Sequence, residues 1–78
     1  MQTVISGTDK QLYDMIIRLY DSVFKKQLYD FIIKIELTAD ADMSLLQDFV
    51  SLAKDLQEDS VDHKINIQID ITESKEAA

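Results

Sequence analysis

The stretch that most constrains the fold is residues 65–72, I-N-I-Q-I-D-I-T, where isoleucine takes every odd position and a polar residue every even one. A period of two puts Ile65, Ile67, Ile69 and Ile71 on one side of an extended chain and Asn66, Gln68, Asp70 and Thr72 on the other. A helix would scatter these side chains around its axis, so the spacing and the β-branched residues predict a half-buried strand, drawn over 63–72. Tyr29, Phe31, Ile33, Ile35 and Leu37 repeat the pattern upstream, with Asp30, Lys34, Glu36 and Thr38 opposite and Ile32 the apolar exception.

Two helical patterns alternate with these strands. Thr8 followed by Gln11 fits a capping box, in which hydroxyl and carboxamide satisfy the free backbone donors of a helix start. After it, Leu12, Met15, Ile16, Leu19, Tyr20, Val23 and Phe24 recur every three or four residues, which predicts an amphipathic helix over about 9–25. Asp40, Asp42 or Ser44 with Gln47 can each cap the second helix, whose apolar face is Leu45, Leu46, Phe49, Val50, Leu52, Ala53 and Leu56. Residues 3–6, T-V-I-S, form a candidate short strand, and Gly7 then offers a permissive backbone position ahead of the first helix.

The boundary between the first helix and the Tyr29 strand has neither Gly nor Pro, and the pattern K-Q-L-Y-D-x-I-I occurs at both 10–17 and 26–33. Phase separates the copies. At about 100° per residue, the offset rotates the second copy roughly 160° around a continuing helix, placing Lys26, Asp30 and Lys34 where Leu12, Leu19 and Val23 face the core. The helix therefore breaks near 25–27; the competing pattern is one long helix to about residue 37 with those charges as i,i+4 pairs. Strands joined through helices favour parallel pairing and right-handed crossovers. The expected fold class is α/β, a small two-layer β-α-β-α-β sandwich with a short first strand, the helices on one face of a mainly parallel sheet in order 1-2-3. One domain is expected over 1–73, with a frayed tail over 74–78.

Charge narrows the function. The chain has 78 residues and a net charge of −7, and the acid is concentrated after residue 34. Such a surface repels nucleic acid and anionic membrane and favours a basic protein surface. No apolar run approaches the ~20 residues of a membrane span, and M-Q-T-V-I-S-G is unlike a secretion signal, so a cytoplasmic location is expected. The absence of cysteine excludes disulfides and thiolate chemistry. A chain this short buries only about 60% of its unfolded surface, which makes self-association the natural supplement.

Little in the sequence points to catalysis. The single histidine, His63, lies between Asp62 and Lys64 with no matched nucleophile indicated, and reads as structural or surface. Asp40 and Asp42 would open an EF-hand loop only with Gly and Glu at later positions, which hold Leu45 and Ser51. Residues 58–62, E-D-S-V-D, resemble the D-S-L/V-D attachment site of acyl carrier proteins. There a helix opens directly after the serine, whereas Ser60 precedes a strand. No cofactor or metal is expected, and the chain reads as non-enzymatic.

The remaining feature is an acidic stripe. Asp48, Asp55, Glu58 or Asp59, and Asp62 recur at helical spacing, with Asp40 and Asp42 at the helix start. In size and charge the chain is similar to small acidic inhibitors carried by phages, anti-CRISPR proteins among them, and that likeness rests on size and charge alone. The expected function is an inhibitor or adaptor that docks a basic protein surface, for example that of a nucleic-acid-binding protein, through Asp40, Asp42, Asp48, Asp55, Glu58, Asp59 and Asp62. The alternative is a self-assembling subunit, such as a homodimer, joined through the polar sheet face (Ile32, Lys34, Asn66, Gln68, Asp70) or the edge strand over 64–72.

Overall fold

A computed structural model describes residues 2–59 and 64–73. The elements run β1 (Thr3–Thr8), a single 3₁₀ turn (Asp9–Gln11), α1 (Leu12–Phe24), β2 (Asp30–Leu37), α2 (Met43–Asp59) and β3 (Asn66–Glu73). The three strands form one parallel sheet in the order β1-β2-β3. This is the small α/β sandwich that the alternating patterns predict. The expected tail at 74–78, and the histidine and aspartate at His63 and Asp62, lie outside the described residues.

One face of the sheet carries the core. Phe31, Ile33 and Ile35 on β2 are sealed from solvent, with Ile5 on β1 beside them. Leu12, Met15, Leu19 and Val23 of α1, and Leu46, Phe49, Ala53 and Leu56 of α2, pack down onto that face. A fully buried side chain of this kind contributes about 1.5–3 kcal/mol, so the central strand and the two helix stripes dominate stability.

Gly7 lies inside β1, opposite Ile35, rather than in a turn ahead of the helix. Its value is space. A Cβ at this position would lie 2.9 Å from both the Gln11 Oε1 and the Met15 Sδ. The chain can therefore pass directly from strand to helix, with the Thr8 amide donating to Gln11 Oε1 at 3.0 Å and the Lys10 amide donating to Thr8 Oγ1 at 3.3 Å. The expected capping box is thus formed.

α1 ends at Phe24, where the phase argument places the break. The reversal uses Gln27 in the left-handed region, φ 56°, while the Leu28 amide donates to the Ser22 carbonyl at 3.0 Å. A side chain there is strained, because the left-handed backbone brings Cβ against the following carbonyl oxygen. Of the three candidate caps for α2, Asp42 serves: its Oδ1 accepts from the Ser44 amide at 2.9 Å and the Leu45 amide at 3.4 Å.

β3 departs from its expected extent. Ladder pairing begins at Asn66, and Ile65 is buried just ahead of it. Ile67 and Ile69 are half-buried and Ile71 is exposed, because β3 is an edge strand that among the described residues is flanked by β2 and α2. Among the described residues nothing covers the opposite sheet face. Across it run the rows Val4–Ile32–Gln68 and Ser6–Lys34–Asp70.

Candidate functional site

The outer surface of the helical layer combines large exposed apolar side chains with uncompensated charge. Both helices carry apolar arcs wider than one sheet covers. At about 100° per residue, the apolar side chains of α1 span roughly 200° and those of α2 roughly 160°, against the stripe of about 100° or more that faces a core. The surplus is visible on the surface. Tyr13 is 80% exposed, Phe24 66%, Leu45 56%, Ile17 49% and Leu52 44%. Phe24, Leu45 and Leu52, which the spacing assigns to core faces, therefore lie outside the core.

These residues line the furrow between the helices. At one end, Ile16, Ile17, Tyr20, Phe24 and Leu52 surround an open groove of about 480 Å³, with Asp21 and Lys25 at its rim. Its floor is stiffened by Tyr20 and Phe24, whose rings meet edge-on with centroids 5.9 Å apart. At the other end, Tyr13, Ile16, Leu45, Phe49 and Leu52 line a second groove, with Asp48 among its walls. Leu52 and Ile16 belong to both, so the furrow is continuous.

The two walls differ in charge. On α1, Asp14 pairs with Arg18 and Asp21 with Lys25, each at 3.2 Å and each one turn apart, so that wall is locally neutral. On α2, Asp48, Asp55, Glu58 and Asp59 are exposed. Among the described residues none of these four forms an ion pair. Helical phase puts Asp48, Asp55 and Asp59 on the α1-facing side, next to Leu45 and Leu52, with Glu58 turned further out. The furrow thus has an apolar floor, one neutral wall and one acidic wall.

Asp40 and Asp42, which the sequence groups with this stripe, are engaged elsewhere. Asp42 caps α2. Asp40 belongs to a polar knot at the carboxyl ends of β1 and β2. Asp9, almost wholly buried, accepts from the Thr38 amide at 2.6 Å and from Thr38 Oγ1 at 3.1 Å. The same hydroxyl lies 3.1 Å from Asp40 Oδ1, so its one hydrogen is shared between two carboxylates. Lys10 Nζ stands 3.2 Å from Asp40 and 3.8 Å from Asp9, offsetting one of the two negative charges.

The Thr38 amide holds the Asp9 carboxyl below its ordinary range against the opposing effect of burial. Asp40 is lowered chiefly by Lys10 and then by Thr38. Both stay ionised near neutrality, and the knot ties the start of the first helical segment to the loop leading into α2. Asp62 lies outside the described residues. Among those residues no group of three or more His, Cys, Asp or Glu could hold a metal, and no helix is long and apolar enough to cross a membrane.

The sheet-face residues Ile32, Lys34, Asn66, Gln68 and Asp70 are brought together on the uncovered face. They form a polar surface in which Asn66 Nδ2 donates to Asp30 at 3.3 Å and Gln68 Nε2 to Asp70 at 3.2 Å. The helical furrow is the site that sequence reasoning missed. The signal was present in the width of the apolar arcs and in Tyr13 and Ile17, which extend the α1 stripe beyond what faces the sheet. Compared with protein-family models, with curated proteins and with solved structures, the chain matches none.

Proposed function

We propose that the chain is a non-enzymatic protein-interaction module, an inhibitor or adaptor, whose helical furrow receives a basic amphipathic segment of a partner protein. The observation that carries this reading is the pairing of an exposed apolar floor with a wall of unpaired carboxylates. Contiguous exposed apolar surface rimmed by polar groups marks interaction sites, and here the rim selects for cations. A partner helix would lay its apolar side chains over Ile17, Phe24 and Leu52 and its lysines or arginines along Asp48 and Asp55. Nucleic-acid-binding proteins carry such basic surfaces, so blocking one is the natural inhibitory use. Nucleic acid and anionic membrane are repelled by the same wall.

The test uses a fluorescent synthetic helix with leucines at i, i+3, i+4 and i+7 and lysines on its flanks, beside a scrambled peptide of identical composition. Anisotropy should rise with the patterned probe and much less with the scrambled one. Leu52→Glu should abolish the binding. Reversing both Asp48 and Asp55 to lysine should weaken it roughly tenfold at low salt and erase most of its salt dependence. Equal binding of the scrambled probe, or unchanged affinity in the double reversal, overturns the reading.

A further inference from the structure

Among the described residues, the outer edge of β3 pairs with no other strand. The Asn66 amide donates to the Tyr29 carbonyl at 2.7 Å, which sets the ladder phase: even-numbered residues of β3 direct their backbone groups to β2, and odd-numbered ones direct theirs outward. At the start of that edge, the outward Ile67 amide donates to Gln57 Oε1 at 3.0 Å, a side-chain cap from α2. Ile69 and Ile71 follow on the same edge. Their side chains lie on the helix side, in an open furrow of about 310 Å³ bounded by Val50, Ala53, Lys54 and Gln57.

We propose that two copies join these edges antiparallel about a two-fold axis normal to the sheet and centred on Ile69, giving one continuous six-stranded sheet. The sequence of β3 favours this register over those centred one or two residues further along. With Ile69 opposite Ile69 of the second copy, Ile67 meets Ile71, Gln68 meets Asp70 and Asn66 meets Thr72. Within residues 66–72 every pair on the helix side is then isoleucine on isoleucine, and every pair on the open side is a hydrogen-bonding match, while Glu73 falls opposite Ile65 beyond the start of the ladder. Centring on Asp70 would set two carboxylates directly opposite each other, which is destabilising. Centring on Ile71 would put Ile69 against Glu73.

Charge permits the approach. The β3 side of α2 presents Val50, Lys54 and Gln57, whereas Asp48 and Asp55 lie toward α1, and Asp70 stands in register with Lys34 of its own sheet. The two-fold keeps both helical layers on one side, so the two isoleucine furrows merge beneath both α2 helices. Gln57 releases the Ile67 amide, which passes to the second copy's Ile71 carbonyl.

Sedimentation velocity over a rising concentration series tests the association, and cysteine cross-linking tests the register, since the native chain has no cysteine. Opposed residues in a non-hydrogen-bonded antiparallel pair sit about 4.5 Å apart at Cα, within disulfide reach. Mixing Gln68→Cys protein with Asp70→Cys protein should therefore give a disulfide-linked dimer under mild oxidation, in preference to either protein alone. Ile71→Lys, at an exposed position, should keep its circular dichroism and weaken dimerisation roughly tenfold or more, because it places a cation in an apolar seam. A chain that stays monomeric up to about millimolar concentration, far above the weakest useful affinity, overturns the proposal. So does a dimer indifferent to Ile71→Lys, or one in which Asp70→Cys cross-links mainly to itself.

Discussion

Replacing Gly7 with alanine tests whether the strand-to-helix junction depends on space rather than on backbone freedom. Gly7 has no positive φ, so the new residue meets no conformational penalty. The Cβ, however, arrives 2.9 Å from Gln11 Oε1, 2.9 Å from Met15 Sδ and 3.4 Å from Gln11 Cβ. Gln11 can retract only by giving up its bond from the Thr8 amide, half of a capping box, which costs about 0.5–1 kcal/mol. Met15 is 1% exposed, so displacing it presses on the packed core, an overpacking cost of about 1–3 kcal/mol. Loss of glycine's freedom in the unfolded chain returns about 0.4–1 kcal/mol. The net expectation is a loss of about 0.5–3.5 kcal/mol, centred near 2 kcal/mol, which at the centre is roughly 8–16 °C in Tm for a domain of this size. Urea denaturation followed by circular dichroism measures it directly. The cost should shrink in a Gln11→Ala background, where one of the two obstacles is gone. A Gly7→Ala protein as stable as the parent would refute the steric reading of this junction.

Gln27→Gly should act in the opposite direction. Relief of the left-handed strain, about 1–2 kcal/mol, exceeds the roughly 0.5–1 kcal/mol of added unfolded-chain entropy, so a net gain near 0.5–1 kcal/mol is expected in the same denaturation assay. Asp9 predicts acid sensitivity: its pKa is lowered in the folded state, so its contribution is complete above its unfolded value of about 3.9 and is lost as pH falls through the folded one. Denaturation midpoints between about pH 6 and 2 should fall more steeply for the parent than for Asp9→Asn; parallel curves would remove Asp9 as a cause.

The fold was legible because its signals are local and periodic. Alternating isoleucines specify a strand, Thr8 with Gln11 specifies a helix start, and the phase mismatch at Lys26, Asp30 and Lys34 specifies a break without any glycine. Other features depend on the distance between elements, which periodicity does not encode. Gly7 reads as a permissive backbone position ahead of the helix until Met15 is placed against it. Asp40 and Asp42 read as part of an acidic stripe until the β2–α2 loop turns one toward Lys10 and Thr38 and the other onto the α2 amides. Leu45, Leu52 and Phe24 read as core because spacing gives the direction of an apolar face, not how much of it the neighbouring layer covers.

Coverage is the quantity that connects the fold to both proposed surfaces. Three strands spaced about 4.8 Å apart place the outer two only about 10 Å from each other, close to the 8–10 Å separation of two packed helix axes. Such a sheet can seal the inward stripe of each helix and no more, so the wide arcs of α1 and α2 surface along their shared furrow. The isoleucines of β3 surface at the edge for the same reason, since among the described residues no strand lies beyond it. Charge then assigns different occupants to the two apolar exposures. Two copies meeting furrow to furrow would bring Asp48 and Asp55 of each toward the other, a like-charge arrangement that disfavours self-association there and leaves the furrow to a basic partner. The β3 edge holds Asp70 beside Lys34 and opposite Gln68 of the incoming strand, with Glu73 only at its far end, and it can accept a copy of itself without that repulsion. A dimer formed this way would present two furrows on one face, and a partner with two basic segments would bind it with an effective concentration that a single copy cannot supply.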